Sequence, residues 1–224
     1  MSKKRMGVVV IGQSPRPTVV AEIAAVISPD FEIELRGALD GMTREEIDTI
    51  PPRDGKDALF TLLPSGEPVR ISKAEVEARA AVQIARFAEE GMAVTLLACT
   101  GKFPNLPEDG KVIFPSAVLH KAVEAVLPKG RLGVFSPLAE QSALIHKKWE
   151  RAGIEVVGVT LQPGSDEAAV DAAAAEMAAL KPDLVVMDCM GYSSANKARV
   201  RHTYKGPVML GISSSARMVE ELLS

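Results

Sequence analysis

Cysteine is almost absent from this chain: two residues in 224, Cys99 and Cys189. That excludes a disulfide framework and fits a reducing, cytoplasmic setting. Long apolar runs are missing too. None approaches the roughly 18 residues a membrane span needs, and the apolar run Met6 to Ile11 near the start is too short for a signal-peptide core. There is no excess of positive charge: 26 Lys and Arg stand against 29 Asp and Glu, with a pI of about 5.7. Without a basic stripe, nucleic acid is excluded as a partner. Histidine is scarce; His120, His146 and His202 lack metal-ligand spacing, and no metal is expected. No glycine-rich dinucleotide fingerprint occurs. The segment ACTGKF resembles the tail of a phosphate loop, but Leu96 and Phe103 stand where that loop needs Gly and Ser or Thr.

What remains is an ordinary folded composition, 47% hydrophobic and 25% charged. Apolar strands alternate with helical spacings: Val8–Ile11, Phe31–Leu35, Val94–Ala98, Val112–Phe114, Leu132–Phe135, Glu155–Val159, Leu184–Met187 and Val208–Leu210. Helices are expected at Thr18–Ile27, from Ser72 as a cap (with Glu75 completing a capping box) to Glu90, through Val126, at Leu138–Ala152, Glu167–Leu180 and Ser213–Leu223. The turn Pro64-Ser65-Gly66-Glu67 between two apolar runs predicts a hairpin. Alternating strand and helix units predict an α/β fold with parallel sheets.

Two pairs of stretches share a plan. RMGVVVIGQSP and GRLGVFSPLAE each run Gly-Val, apolar strand, Ser-Pro. VTLLACTG and LVVMDCMG each run apolar strand, then Ala or Asp, Cys, one residue, Gly. The chain therefore reads as two related halves, residues 1–100 with 205–224 and residues 101–204, the last strand and helix crossing back to the first half. The first half is longer by about the Gly41–Ile71 segment. Each half ends a strand in a cysteine, and open parallel sheets bind ligands beyond their strand ends.

One cysteine at a strand end is more often apolar filler. Two in matching places, with no others in the chain, favour chemistry. Opposed thiols suit a racemase, in which one thiolate removes a proton and the other thiol returns one to the opposite face. The substrate expected is a small anionic carboxylate. Ser14, Thr100, Ser136 and Ser213 are candidates to hold it, with backbone groups at Gly101, Gly191 and Tyr192, and Arg16 could add a charged bond. The bland readings are that Ser14 and Ser136 are helix caps, Arg16 and the histidines lie on the surface, and Trp149 is core. Asp188, an acid ending an apolar strand, calls for a partner.

GMTREEI, LLPSGEPVRISKAEVE, VTLLACTGKF, VVMDCMGY and GISSSARMVEELL together resemble the AroM family, and more broadly the aspartate/glutamate racemase superfamily. The AroM likeness covers nearly the whole chain. It implies two pseudo-symmetric flavodoxin-like halves, an active site in the cleft between them, and no cofactor. Carried over, the superfamily's two cysteine motifs fall on Cys99-Thr100-Gly101 and Cys189-Met190-Gly191-Tyr192. Gln13 replaces the superfamily's Asp in the loop after the first strand, which argues against plain glutamate or aspartate. The expected activity is that of a racemase or isomerase using two cysteines. The alternatives are a decarboxylase or cis–trans isomerase using one, or a non-catalytic ligand-binding or regulatory protein linked to aromatic biosynthesis. The assembly considered is a homodimer.

Overall fold

The computed structural model describes residues 3–139 and 142–224. The chain divides into two compact units, 1–116 with 215–224, and 117–214.

In the first unit β1 (Lys4–Val10), β2 (Phe31–Gly37), β5 (Val94–Ala98) and β6 (Val112–Ile113) form a parallel sheet in the order β2-β1-β5-β6. Every residue of β5 is buried, whereas β2 is half-exposed, as an edge strand must be. Helices α1 (Pro17–Ala24) and α3 (Lys73–Glu89) belong to this unit, and α3 is followed by Gly91 at φ 76°. Pro17 opens α1, where its missing N–H costs nothing. Ser72 caps α3 by accepting the Glu75 N–H. The reciprocal half of the expected capping box is pre-empted, because the Ser72 N–H donates to Ile50. The Gly41–Ile71 segment holds α2 (Arg44–Asp48), strand β3 (Ala58–Leu62) and the start of β4 (Pro68–Ser72). β3 and β4 pair as the antiparallel hairpin expected from the turn. Leu59, Val69 and Ile71 of the hairpin join Val9, Leu97 and Phe87 in one core.

In the second unit β7 (Gly130–Ser136), β8 (Ile154–Thr160), β9 (Leu184–Met187) and β10 (Val208–Leu210) form a parallel sheet in the order β8-β7-β9-β10. Helices α4 (Pro115–Val126), α5 (Ser142–Trp149), α6 (Glu167–Ala179) and α7 (Ser194–Thr203) accompany it. The expected helix at Leu138–Ala152 is seen as α5; residues 140 and 141 lie outside the described residues. Leu132, Val134, Leu184 and Val186 pack with Ile145 and Trp149.

Counted within each half, both sheets run second, first, third, fourth strand. This is the flavodoxin-like order, with its switch point between the first and third strands. The packing repeats as well. A Cβ on Gly7 of β1 would lie 2.5 Å from the Phe87 ring, and one on Gly133 of β7 would lie 2.5 Å from the Met177 sulfur. A helix crosses closely over the first strand in each half.

Two expectations about the halves change. Val112–Ile113 pairs with β5 and so lies in the first sheet. Val208–Leu210 was expected to cross back to the first half, but β10 pairs with β9 in the second sheet; only the helix after it, α8 (Gly211–Leu223), returns, from Ser215 onward. An apolar strand carries no mark of which neighbour it joins.

Candidate functional site

The switch point of each half carries a cysteine. β5 runs directly into Cys99, and Val10 of β1 lies opposite Ala98, so the loop after β1 sits beside the Cys99 turn. β9 is followed by Asp188 and Cys189, and Phe135 of β7 lies opposite Met187. Neither cysteine is in a disulfide, and each is partly buried.

The turns are built alike. The Gly101 N–H points at the Cys99 sulfur at 3.4 Å, and the Gly191 N–H points at the Cys189 sulfur at 3.4 Å. An N–H aimed at sulfur solvates negative charge there. Glycine relieves crowding in both turns. An added Cβ at 101 would lie 3.4 Å from the Cys99 sulfur and 3.1 Å from Phe103, and one at 191 would lie 2.9 Å from Pro163. Thr100 and Ser136, also at strand ends, are buried. The loop after Cys99 is pinned from α3, where the buried Glu77 accepts the Asn105 N–H at 2.7 Å and its side-chain amide at 3.0 Å.

The loop after β1 is cross-braced within the first unit. Gln13 donates to the carbonyls of Leu39 and Met42 (3.3 and 2.7 Å). The Ser14 N–H and hydroxyl both go to Asp40 (2.7 and 2.9 Å), which also accepts the Gly37 N–H. A hydroxyl has one proton, so Ser14 presents lone pairs to anything else that approaches it. Arg16 is not the surface residue its isolation in sequence implied. It donates to the Leu62 carbonyl at the end of β3, and the hairpin comes close enough that a Cβ on Gly12 would meet the Thr61 hydroxyl at 2.6 Å. Ser213 lies in the first turn of α8 with its hydroxyl on the Leu210 carbonyl.

Tyr192 is 1% exposed and its hydroxyl donates to the Leu161 carbonyl. Its ring is therefore core, and a ligand could meet only its backbone. Burial, then negative charge at Cys189 and at Asp188, push its hydroxyl well above the usual tyrosine range.

Asp188 has the partner its position demanded. Its buried carboxylate receives Lys148 Nζ at 2.8 and 2.7 Å and the Trp149 indole N–H at 2.9 Å. His120, expected on the surface, is half-buried and stacks on Trp149 with ring centroids 4.1 Å apart and planes within 8°. His146 and His202 are exposed. Sequence spacing could not reveal this cluster, whose members come from α4, α5 and the end of β9. Among the described residues, no three His, Cys, Asp or Glu side chains converge as a metal site, and no helix is long and apolar enough to cross a membrane.

A fold of two α/β halves with this strand order is that of the aspartate/glutamate racemase-like proteins. The chain matches the maleate isomerase Iso from Pseudomonas putida S16 with a TM-score of 0.67 at 17% identity, over 98% of this chain and 92% of that one. It matches allantoin racemase from Klebsiella pneumoniae with a TM-score of 0.65 at 18% identity, over 98% and 87%. It matches glutamate racemase from Francisella tularensis subsp. tularensis SCHU S4 with a TM-score of 0.60 at 14% identity, over 100% and 82%. The AroM protein family model matches residues 6–223, and the chain belongs to the AroM family. No match was found among curated protein sequences.

Proposed function

We propose that this AroM-family chain is a racemase or isomerase of a small carboxylate, with Cys99 and Cys189 as its acid–base pair. The observation that carries the reading is the duplicated turn. Each half ends its third strand, at its switch point, in a Cys-x-Gly whose glycine N–H faces the sulfur at 3.4 Å. Filler cysteines have no need of that arrangement twice. The fold likeness to proteins named as a maleate isomerase, an allantoin racemase and a glutamate racemase supports a small-molecule reaction.

The chemistry is a 1,1-proton transfer. One thiolate takes the proton from the carbon next to the carboxylate, and the electron pair delocalises into the carboxylate as an enediolate. The other thiol protonates the opposite face. Each sulfur ends in the state from which the other began, and the step calls for no cofactor. The reading requires both halves to present their cysteine to one substrate. Thr100 and Ser136 are the hydroxyls proposed to hold the anion with the strand-end backbone, and Ser14, whose proton goes to Asp40, would accept only from a donor elsewhere on the substrate. One observation favours the single-cysteine alternative, a decarboxylase or cis–trans isomerase: Ala98 precedes Cys99, whereas a buried ion pair adjoins Cys189.

The test starts by screening 2-substituted carboxylates for α-proton exchange into deuterated water. Cys99→Ser and Cys189→Ser should each lose tenfold or more, about 1.4 kcal/mol of barrier, and each should lose more with a different enantiomer. Full turnover by Cys99→Ser with a dead Cys189→Ser would establish the single-cysteine reaction. Full activity in both would make the pair filler.

A further inference from the structure

The two halves differ at the residue before each cysteine. In the first it is Ala98, buried, with its backbone opposite Val10. In the second it is Asp188, whose side chain is fully buried and paired with Lys148, itself only 16% exposed. The Asp188 N–H stays in the sheet, donating to Phe135 at 3.0 Å, so the carboxylate is directed to α5 while the chain turns on to Cys189. The first half demonstrates that alanine suffices to build such a turn. A buried ion pair gains little over apolar packing, because desolvation offsets the attraction. Unlike alanine, it places two charges beside the next residue, and their balance decides the potential there. Ionisable groups near Asp188 include Lys148 from α5, His120 of α4 behind Trp149, and Cys189 and Tyr192 in the turn. An unopposed carboxylate one residue from Cys189 would hinder its ionisation, and the ammonium cancels that effect.

We infer that Lys148 is a positioning residue for Cys189: by neutralising the buried Asp188 carboxylate it keeps the neighbouring sulfur able to ionise. This takes from the proposed function only that Cys189 must become a thiolate. Its test reads alkylation rather than turnover, so it stands or fails apart from the racemase reading.

The full chain is treated with iodoacetamide across a pH series, and each cysteine is followed separately by mass spectrometry, with Cys99 as the internal control. Lys148→Met should slow Cys189 about tenfold at neutral pH, an upward move of about one unit in its pH midpoint. Asp188→Asn should move the midpoint the other way. Lys148→Arg and the double variant Asp188→Asn with Lys148→Met should stay within about threefold of the parent, less than half a pH unit. Cys99 should change less than about twofold throughout, since its own neighbour carries no charge. A merely structural pair would send both single variants in the same direction and leave the neutral double variant impaired. Either result overturns the inference, as does a parental Cys189 profile in Lys148→Met. Should Lys148→Met not fold, Asp188→Asn decides alone: a downward midpoint supports the inference, and an unchanged or upward one overturns it.

Discussion

Tyr192→Phe separates a structural tyrosine from a functional one. The substitution keeps the buried ring, so no cavity opens, and removes one hydroxyl that donates to the Leu161 carbonyl inside the second unit. A lost buried hydrogen bond that leaves its acceptor unpaired costs about 1–3 kcal/mol. Trp149, the chain's single tryptophan, is buried in the same unit, so urea unfolding followed by its fluorescence reports this unit. With a urea slope of about 1–3 kcal/mol per molar, the midpoint should fall by about 0.5–1 M near pH 8. The pH arm is sharper. Burial raises the folded hydroxyl above its unfolded value, so above about pH 10 the folded chain keeps a proton that the unfolded chain has released. The parent must then lose stability relative to Tyr192→Phe by about 1.4 kcal/mol per pH unit. Tyr204, also raised by burial, is present in both proteins and cancels. The gap between parent and variant should therefore narrow by about 1.4 kcal/mol between pH 8 and pH 11. A gap that is absent at pH 8, or that holds constant to pH 11, would refute the burial argument. Cys189 alkylation should be unchanged by the substitution; a loss would return the hydroxyl to the site.

Gly133→Ala forces a Cβ to 2.5 Å from the Met177 sulfur and 3.1 Å from Pro182, so the second unit should lose about 1–3 kcal/mol in the same urea assay. Gly191→Ala puts a Cβ 2.9 Å from Pro163, so the turn and Pro163 must move apart; Cys189 alkylation should change severalfold while Cys99 is untouched. Glu77→Gln replaces a buried carboxylate that accepts two N–H groups with an amide that matches only one, at about 1–3 kcal/mol. Amide exchange should then quicken in the loop after Cys99 before it does in β5.

Elements built from local pattern were legible in the sequence. The apolar runs Val94–Ala98, Leu184–Met187 and Val208–Leu210 are strands with those bounds, the Pro64–Glu67 turn joins a hairpin, and the duplicated plan is a duplicated strand order. What stayed hidden was which polar groups are already committed. The partners of Gln13, Ser14 and Arg16 lie 26 to 46 residues away on other segments, and no spacing rule links them. The same holds for Asp188 and Lys148, 40 residues apart. Hydroxyls at strand ends were therefore counted as available for an anion, although Ser14 and Ser213 donate their protons within the protein.

The unlike neighbours of the two cysteines bear on the choice between reactions through thermodynamics rather than geometry. Enantiomers have equal free energy in water, so a racemase must show equal kcat/KM in both directions, however unequal its two acid–base groups. An ion pair beside one sulfur and alanine beside the other can make kcat and KM differ between the two directions only in compensating fashion. A cis–trans isomerase or decarboxylase acts between species of different free energy and has no such constraint. The asymmetry at Asp188, though it suits a one-cysteine reaction, is thus compatible with racemisation. Under racemisation it predicts separate kcat and KM values that differ between enantiomers, with a ratio that does not. Unequal kcat/KM for the forward and reverse directions on a confirmed substrate would exclude racemisation, whatever both cysteine variants do.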